Sequence, residues 1–320
     1  MLTVLKFGGS SLADAERLRR AAETVLNARR AGGDVVVVVS AMGDTTDALE
    51  ARAYALAPAP PPRELDALIA TGERQSAALM AIMLSSMGAP ALSLSGAQAG
   101  IYTDARHGDA EIEMTLPARV GAALRAGYIP VVAGFQGVSI TGDVTTLGRG
   151  GSDTSAVALC GALNAAHCDI YTDVSGIFTA DPRLVEAARR LERIDYGDMY
   201  LLAQAGSQVL HARSVRLAEE CGAELRVLSS TGAEGSSIVC ALAEEARPDY
   251  SGVTRDARDG RVTLVGKACR SHTLPELAAL LTEAGVSVRG GGMGAGYASV
   301  RVDPRQQIFA LRTVHRYYFE

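Results

Sequence analysis

Residues Lys6-Phe7-Gly8-Gly9-Ser10-Ser11 set a mobile positive charge and two glycines directly after an apolar start, Leu2, Val4 and Leu5. A short buried strand that ends in a turn without Cβ atoms can close its backbone N–H groups around a phosphate. A helix N-terminus beyond the turn adds a favourable dipole. The lysine brings one ammonium into the same space. This combination suits phosphoryl chemistry, although such a turn can also be a simple tight connection. Neither GxxxxGK[ST] nor GxGxxG occurs, which excludes the usual P-loop and Rossmann readings.

A second cluster is Thr145-Thr146-Leu147-Gly148-Arg149-Gly150-Gly151-Ser152-Asp153-Thr154. An arginine between glycines can hold a carboxylate bidentately, and Ser152 or Asp153 can cap the helix after it. A third cluster, Tyr171-Thr172-Asp173 through Ala180-Asp181-Pro182-Arg183, opens from an apolar strand into a turn rich in Thr and Asp. Such a loop can bind a nucleotide and help hold Mg²⁺ through phosphates and water. Glu73 stands at the start of an Ala/Met-rich helix, where it complements the helix dipole or meets an ammonium group. Thr46 offers a hydroxyl on another strand-to-helix turn. His211 has no nucleophile motif nearby and reads as structural. The five cysteines lack ligand or CxxC spacing and read as small buried hydrophobes in a reducing compartment.

The elements that must position these residues alternate regularly. Apolar strands are expected at 35–39, 91–94, 129–133, 168–171 and 224–228, with helices at 15–31, 63–87, 115–126 and 153–166. Continuous apolar strands between helices predict a mainly parallel sheet covered on both faces, with ligands at the carboxyl ends of the strands. After residue 229 the texture changes to short strands and two helices. A small α+β domain is therefore expected beyond a boundary near 246, giving domains 1–246 and 247–320. The net charge of −5, with scattered basic residues, points away from nucleic acid. No apolar run approaches a membrane span and the start lacks a signal-peptide plan, so a cytoplasmic setting is expected.

At these residues the chain resembles the aspartate kinases of the amino-acid kinase family. The resemblance runs through KFGGSS (6–11), SAMGDTTDAL (40–49), GER (72–74), GFQG (134–137), TTLGRGGSDT (145–154), YTDVSGIFTADPR (171–183) and GSQVLHARSV (206–215). It implies a three-layer α/β/α kinase fold and ATP-dependent phosphorylation of the L-aspartate β-carboxylate, the entry to lysine, threonine and methionine synthesis. It also implies roles for particular residues. Lys6, Gly8, Gly9 and Ser10 would cradle the phosphoryl group, with Asp153 among the catalytic residues. Ser40, Thr172, Asp173, Phe178, Asp181 and Arg183 would line ATP. Thr46, Glu73, Arg149 and Ser152 would hold aspartate. ATP and Mg²⁺ are the expected cofactors, with no dedicated protein metal site, and a homodimer is the expected assembly. Gln208 stands where some relatives carry a nucleotide-contacting lysine, and Ser175 replaces an Asp or Pro.

The tail resembles an ACT module, an amino-acid-sensing unit that relatives carry twice, one inserted in the other. Here Tyr250–Arg255, Arg261–Gly266 and Arg312–Glu320 match one unit, as if the inserted one were missing. The run Arg289–Gly296 replaces the relatives' polar effector segment, which implies weak or absent feedback by lysine and threonine. Two alternatives stay open: a family kinase with an acylated amino acid or UMP as acceptor, and a catalytically silent amino-acid sensor.

Overall fold

Val35 to Val39 are each no more than 1% exposed. Such a run is hidden only in a strand covered on both faces. The structure is a computed structural model describing residues 1–320. In chain order it begins with β1 Leu2–Phe7, α1 Ala15–Arg30, β2 Asp34–Val39, α2 Thr45–Leu56, α3 Pro62–Ile69, α4 Thr71–Ser86 and β3 Ala91–Leu94. Then come β4 Ile101–Thr103, β5 Ile112–Thr115, α5 Ala118–Arg125, β6 Ile129–Ala133, β7 Gln136–Ser139, β8 Val144–Thr146, α6 Gly151–Ala162 and β9 Cys168–Thr172. The remainder is β10 Ile177–Phe178, β11 Arg190–Leu191, β12 Arg193–Asp195, α7 Tyr196–Gln204, α8 Ala212–Cys221, β13 Leu225–Ser229 and β14 Ser236–Cys240. It ends with β15 Gly252–Asp256, β16 Arg261–Val265, α9 Thr273–Glu283, β17 Val288–Gly294, β18 Tyr297–Val302 and α10 Gln307–Phe319.

Contacts gather into two compact units, residues 1–175 with 220–234 and residues 176–219 with 235–320. This division differs from the composition change near 246, because residues 176–219 pack with the tail. In the first unit the strands run β13-β9-β1-β2-β6-β3, all parallel. Val35, Val37, Val39, Val131 and Ala133 face a core shared with Leu18, Ala22 and Val25 of α1 and Ala77, Met80 and Leu84 of α4. The period of two sends Val36, Val38 and Val132 the opposite way, and α6 and α5 also pack on these strands. The expected three layers are formed. A second sheet, β5-β4-β7-β8, was not anticipated; its strands are only three or four residues long, too short for a clear alternation.

Three expected helices change bounds. The 63–87 run breaks at Ala70, whose carbonyl accepts from Gln136 Nε2 (2.8 Å). Residues 112–115 form β5 and helix α5 starts only after Pro117, since an interior proline lacks the N–H that a helix needs. The helix expected at 153–166 runs from Gly151 and stops at Ala162, before Asn164 with φ +50°.

The second unit holds an antiparallel sheet, β15-β16-β18-β17, covered by α9 and α10. Its core joins Val253, Leu264, Val300, Leu277 and Val314. Residues 176–219 join it through Ser251 Oγ, which donates to Asp198 Oδ2 (2.6 Å), and Arg247, which pairs with Asp198 (2.6 Å).

Candidate active site

In the first unit's sheet, β1 leads to β2 on one side while β9 and β13 extend the other. The carboxyl ends of β1 and β9 therefore form the switch point where open parallel sheets bind ligands. Lys6 stands near the end of β1 in that gap, between Val38 of β2 and Ile170 of β9. Its Nζ lies 2.6 Å from Asp153 Oδ1 in the first turn of α6, and both residues are 8% exposed. Phe7 beside it stacks on Tyr171 (4.8 Å between centroids), which locks the two strand ends together.

Gly8 N–H donates to the Tyr171 carbonyl (3.3 Å) and Gly43 N–H to the Gly9 carbonyl (3.1 Å). A Cβ on Gly9 would sit 2.5 Å from the Ala41 carbonyl, so only glycine lets the loops after β1 and β2 touch. The turn passes into a four-residue 3-10 helix, Gly9–Leu12, so α1 itself begins beyond the cradle, capped by Asp14. Ser10 is exposed on this turn, and Ser40, half-buried, donates its N–H to the Phe7 carbonyl (3.1 Å).

Glu73 reaches the same loops from α4. It is 3% exposed; its Oε1 accepts from the Ala41 N–H (3.0 Å), while its buried Oε2 has no partner. Burial disfavours the charged form and pushes this carboxyl up to about 7. Thr46 stands half-buried in the first turn of α2, where Thr45 rather than Thr46 ties the turn by donating to the Met42 carbonyl (2.6 Å).

Arg149 is exposed between Gly148 (φ +67°) and Gly150 (φ +71°). Both glycines hold left-handed backbone that residues with a Cβ avoid, which makes the tight turn that carries Arg149. The capping expected of Ser152 or Asp153 is not found. Gly150 is the N-cap, no side chain caps the helix, and Asp153 turns to Lys6 instead. Ser152 is buried against Gly134 at the end of β6, where a Cβ would fall 2.9 Å from the Ser152 Cβ.

Thr172 ends β9 and Asp173 follows it, with Thr172 Oγ1 donating to Asp173 Oδ1 (3.1 Å). Phe178, Asp181 and Arg183 belong to the second unit. There Arg183 grips Asp181 through Nε (3.0 Å) and Nη2 (2.9 Å), which holds the Asp181 carboxyl below its usual range. Sequence reasoning passed over Asp66, buried at 0% exposure, and Phe135, a non-glycine residue at φ +68°. Asp66 carried one signal: it stands three residues before Ile69, on the same face of α3 as that apolar side chain. Four of the five cysteines are buried as expected, with Cys160 pushed up to about 12 and Cys269 to about 11 by burial, whereas Cys221 at the end of α8 is exposed.

A parallel α/β sheet with a lysine and a glycine turn at its switch point, flanked by a carboxylate and an arginine, places the chain among α/β proteins with a polar site at the carboxyl ends of the strands. Residues 1–229 match the sequence model of the amino acid kinase family, and the chain belongs to that family. The chain is 50% identical over 269 residues to an aspartokinase of Mycolicibacterium smegmatis, covering 83% of this chain and 64% of that one. It is 46% identical over 291 residues to an aspartokinase of Corynebacterium glutamicum, covering 90% and 69%. The chain thus spans just under two thirds of the mycobacterial relative's length. Among solved structures, E. coli aspartokinase III in complex with aspartate and ADP (R-state) superposes with a TM-score of 0.86 over 100% of both chains. At 23% identity that is a likeness of fold. Aspartate kinase from Synechocystis gives 0.69 at 30% identity, covering 99% of this chain and 69% of that one.

The Glu73 carboxyl carries a linkage consequence. Its value in the folded protein lies above the ordinary 4.5, so the folded state holds the proton more tightly. The stabilisation is complete below 4.5 and is lost as pH rises through about 7. Glu73→Gln, which resembles the protonated form, should gain on the order of 2 kcal/mol over wild type at pH 8 and nothing at pH 4. Urea unfolding at the two pH values measures this; an equal difference at both would contradict the burial argument.

Proposed function

We propose that the chain is an aspartate kinase, transferring the γ-phosphoryl group of ATP to the β-carboxylate of L-aspartate. The observation that carries this reading is the buried Lys6–Asp153 pair beside the Gly8-Gly9 turn, one loop away from a buried carboxylate with a free oxygen. An oxygen of the aspartate β-carboxylate would form the new bond to phosphorus as the bond to the ADP oxygen breaks, yielding 4-phospho-L-aspartate and ADP. The attacking carboxylate is ionised near pH 7, so no general base is needed. Alignment and neutralisation of a charge-rich transition state remain. Lys6 would supply the cation, exchanging Asp153 for phosphate oxygens, while Asp153 keeps the amine directed into the gap. The N–H groups of Gly9 and Ser10 face the same task, and Ser40, Thr172 and Asp173 border it on either side.

Glu73 is suited to the substrate ammonium: its unpartnered Oε2 would gain a charge-assisted partner, and the cation would draw the carboxyl to its ionised form. Arg149 is suited to the α-carboxylate, with Thr46 and Ser152 as hydroxyl donors. Phe178, Asp181 and Arg183 enter the nucleotide proposal through the family resemblance. No three His, Cys, Asp or Glu side chains gather as a metal site. Mg²⁺ would be carried on the phosphates and water, with Asp173 the carboxylate offered to it. Its contribution when bound is neutralisation of phosphate charge. No helix is long and apolar enough to cross a membrane, and we assign a cytoplasmic setting and a homodimer to the same reading. The functional division proposed is a kinase domain at 1–246 and an ACT-like regulatory or oligomerisation domain at 247–320.

Lys6→Ala should lower kcat for aspartate-dependent ADP release at least ~100-fold, the scale of losing a preorganised charge stabiliser. Near-normal turnover would remove Lys6 from the mechanism. Arg149→Ala should chiefly raise the aspartate KM; an effect confined to the ATP KM would contradict its role. Lysine and threonine, each at millimolar concentration, should leave ADP release nearly unchanged. Strong inhibition below a millimolar would show that the tail still senses one of them.

A further inference from the structure

Resting on the aspartate kinase reading, we propose that Asp66 is a positioning residue that sets the separation of Glu73 and Arg149, and with it the fit of aspartate. A carboxylate buried to 0% exposure is costly unless donors surround it. Asp66 has such donors on two separate segments. From β8, Thr146 gives both its N–H (3.1 Å) and its hydroxyl (2.6 Å). From the loop between β4 and β5, Gly108 gives its N–H (3.1 Å) and His107 sets Nδ1 2.8 Å from Oδ2.

Both the helix that bears Asp66 and the strand that donates to it run on into a recognition group. Asp66 is in α3, and seven residues on, past the break at Ala70, stands Glu73. Thr146 ends β8, and three residues on stands Arg149. The same loop that holds Asp66 also supports the arginine turn: Ala110 N–H donates to the Thr146 carbonyl (2.9 Å), and Asp109 lies where a Cβ on Gly148 would fall 2.6 Å away. On the helix side, Gln136 Nε2 holds the Ala70 carbonyl at the α3–α4 break (2.8 Å). The helix that leads to α4 and Glu73, and the strand that leads to Arg149, are therefore tied to each other at one buried carboxylate. Asp66 itself touches no proposed ligand position.

Asp66→Asn keeps the shape but turns a donor toward donors, leaving at least one of them unmatched. Losing one such charge-assisted bond should raise the aspartate KM at least about tenfold. The ATP KM should stay within about twofold, because Lys6 and the glycine turn hang from β1 and not from this tie. Thr146→Val removes only the hydroxyl donor and should raise the aspartate KM by about threefold. Hydrogen exchange of amides 146–151 in the ligand-free variants should quicken in the same order. A parallel rise of both KM values marks a merely structural role and overturns the proposal, as does an unchanged aspartate KM. Should Asp66→Asn fail to fold, Thr146→Val decides by the same criteria. The exchange readout needs no substrate. Wild type without aspartate-dependent ADP release would sink the kinase reading, while unaltered exchange in the variants would sink the tie itself.

Discussion

A lysine at the end of a central strand, hidden between two other strands, can stay charged only if an opposite charge meets it. Asp153 does so at 2.6 Å, and much of the site's construction follows from that demand. A buried pair returns roughly what its desolvation costs, whereas a lone member left behind costs about 3–5 kcal/mol. Asp153 must therefore be delivered reliably, and it is delivered by the first turn of α6. That turn is in turn fixed by the left-handed glycines around Arg149 and by the close approach of Ser152 to Gly134. The strand that bears Lys6 cannot shift without exposing both charges.

Glu73 embodies the opposite choice. One of its oxygens is satisfied by a backbone N–H and the other is buried with none. Against the near-universal pairing of buried polar atoms, such an orphan is a reservoir of unfavourable energy. Folding tolerates it by protonation near neutral pH. A ligand cation would relieve it, so a cost borne by the free protein becomes affinity for an ammonium group. The break at Ala70 gives Glu73 its own helix start, which a continuous 63–87 helix would not.

The strands and glycine turns were legible in the sequence because their signals are local. Five valines in a row and Ile129–Ala133 have no other stable home, and Lys6-Phe7-Gly8-Gly9 carries its chemistry in its own backbone. Boundaries and ties were less legible because they depend on partners far along the chain. The break at Ala70 is made by Gln136, 66 residues away. The exchange of Asp153 from helix cap to ion partner is made by Lys6, and the burial of Asp66 is made by Thr146, 80 residues away. The ladders joining β4, β5, β7 and β8 hold two or three pairings each, too few for a period to emerge. Residues 176–219 continue the alternating α/β pattern in sequence, yet their contacts gather with residues 235–320.

The tail's edge strand bears on how an effector would be recognised. In β17 the residues Gly290, Gly291 and Gly292 pair with Arg301, Val300 and Ser299 of β18, so the backbone groups on that side are already used. What remains is an exposed outer row of N–H and C=O groups without side chains to add charge or shape. An amino acid needs a partner for its ammonium and its carboxylate, and discrimination between lysine and threonine needs a third contact to the side chain. Backbone groups alone can meet the carboxylate, yet they offer no formal negative charge to the ammonium and nothing selective to the side chain. The same row is well suited to extending a sheet, because an exposed strand edge pairs readily with another strand. The physical balance in this segment therefore favours assembly over sensing, which is the direction the glycine-rich sequence suggests.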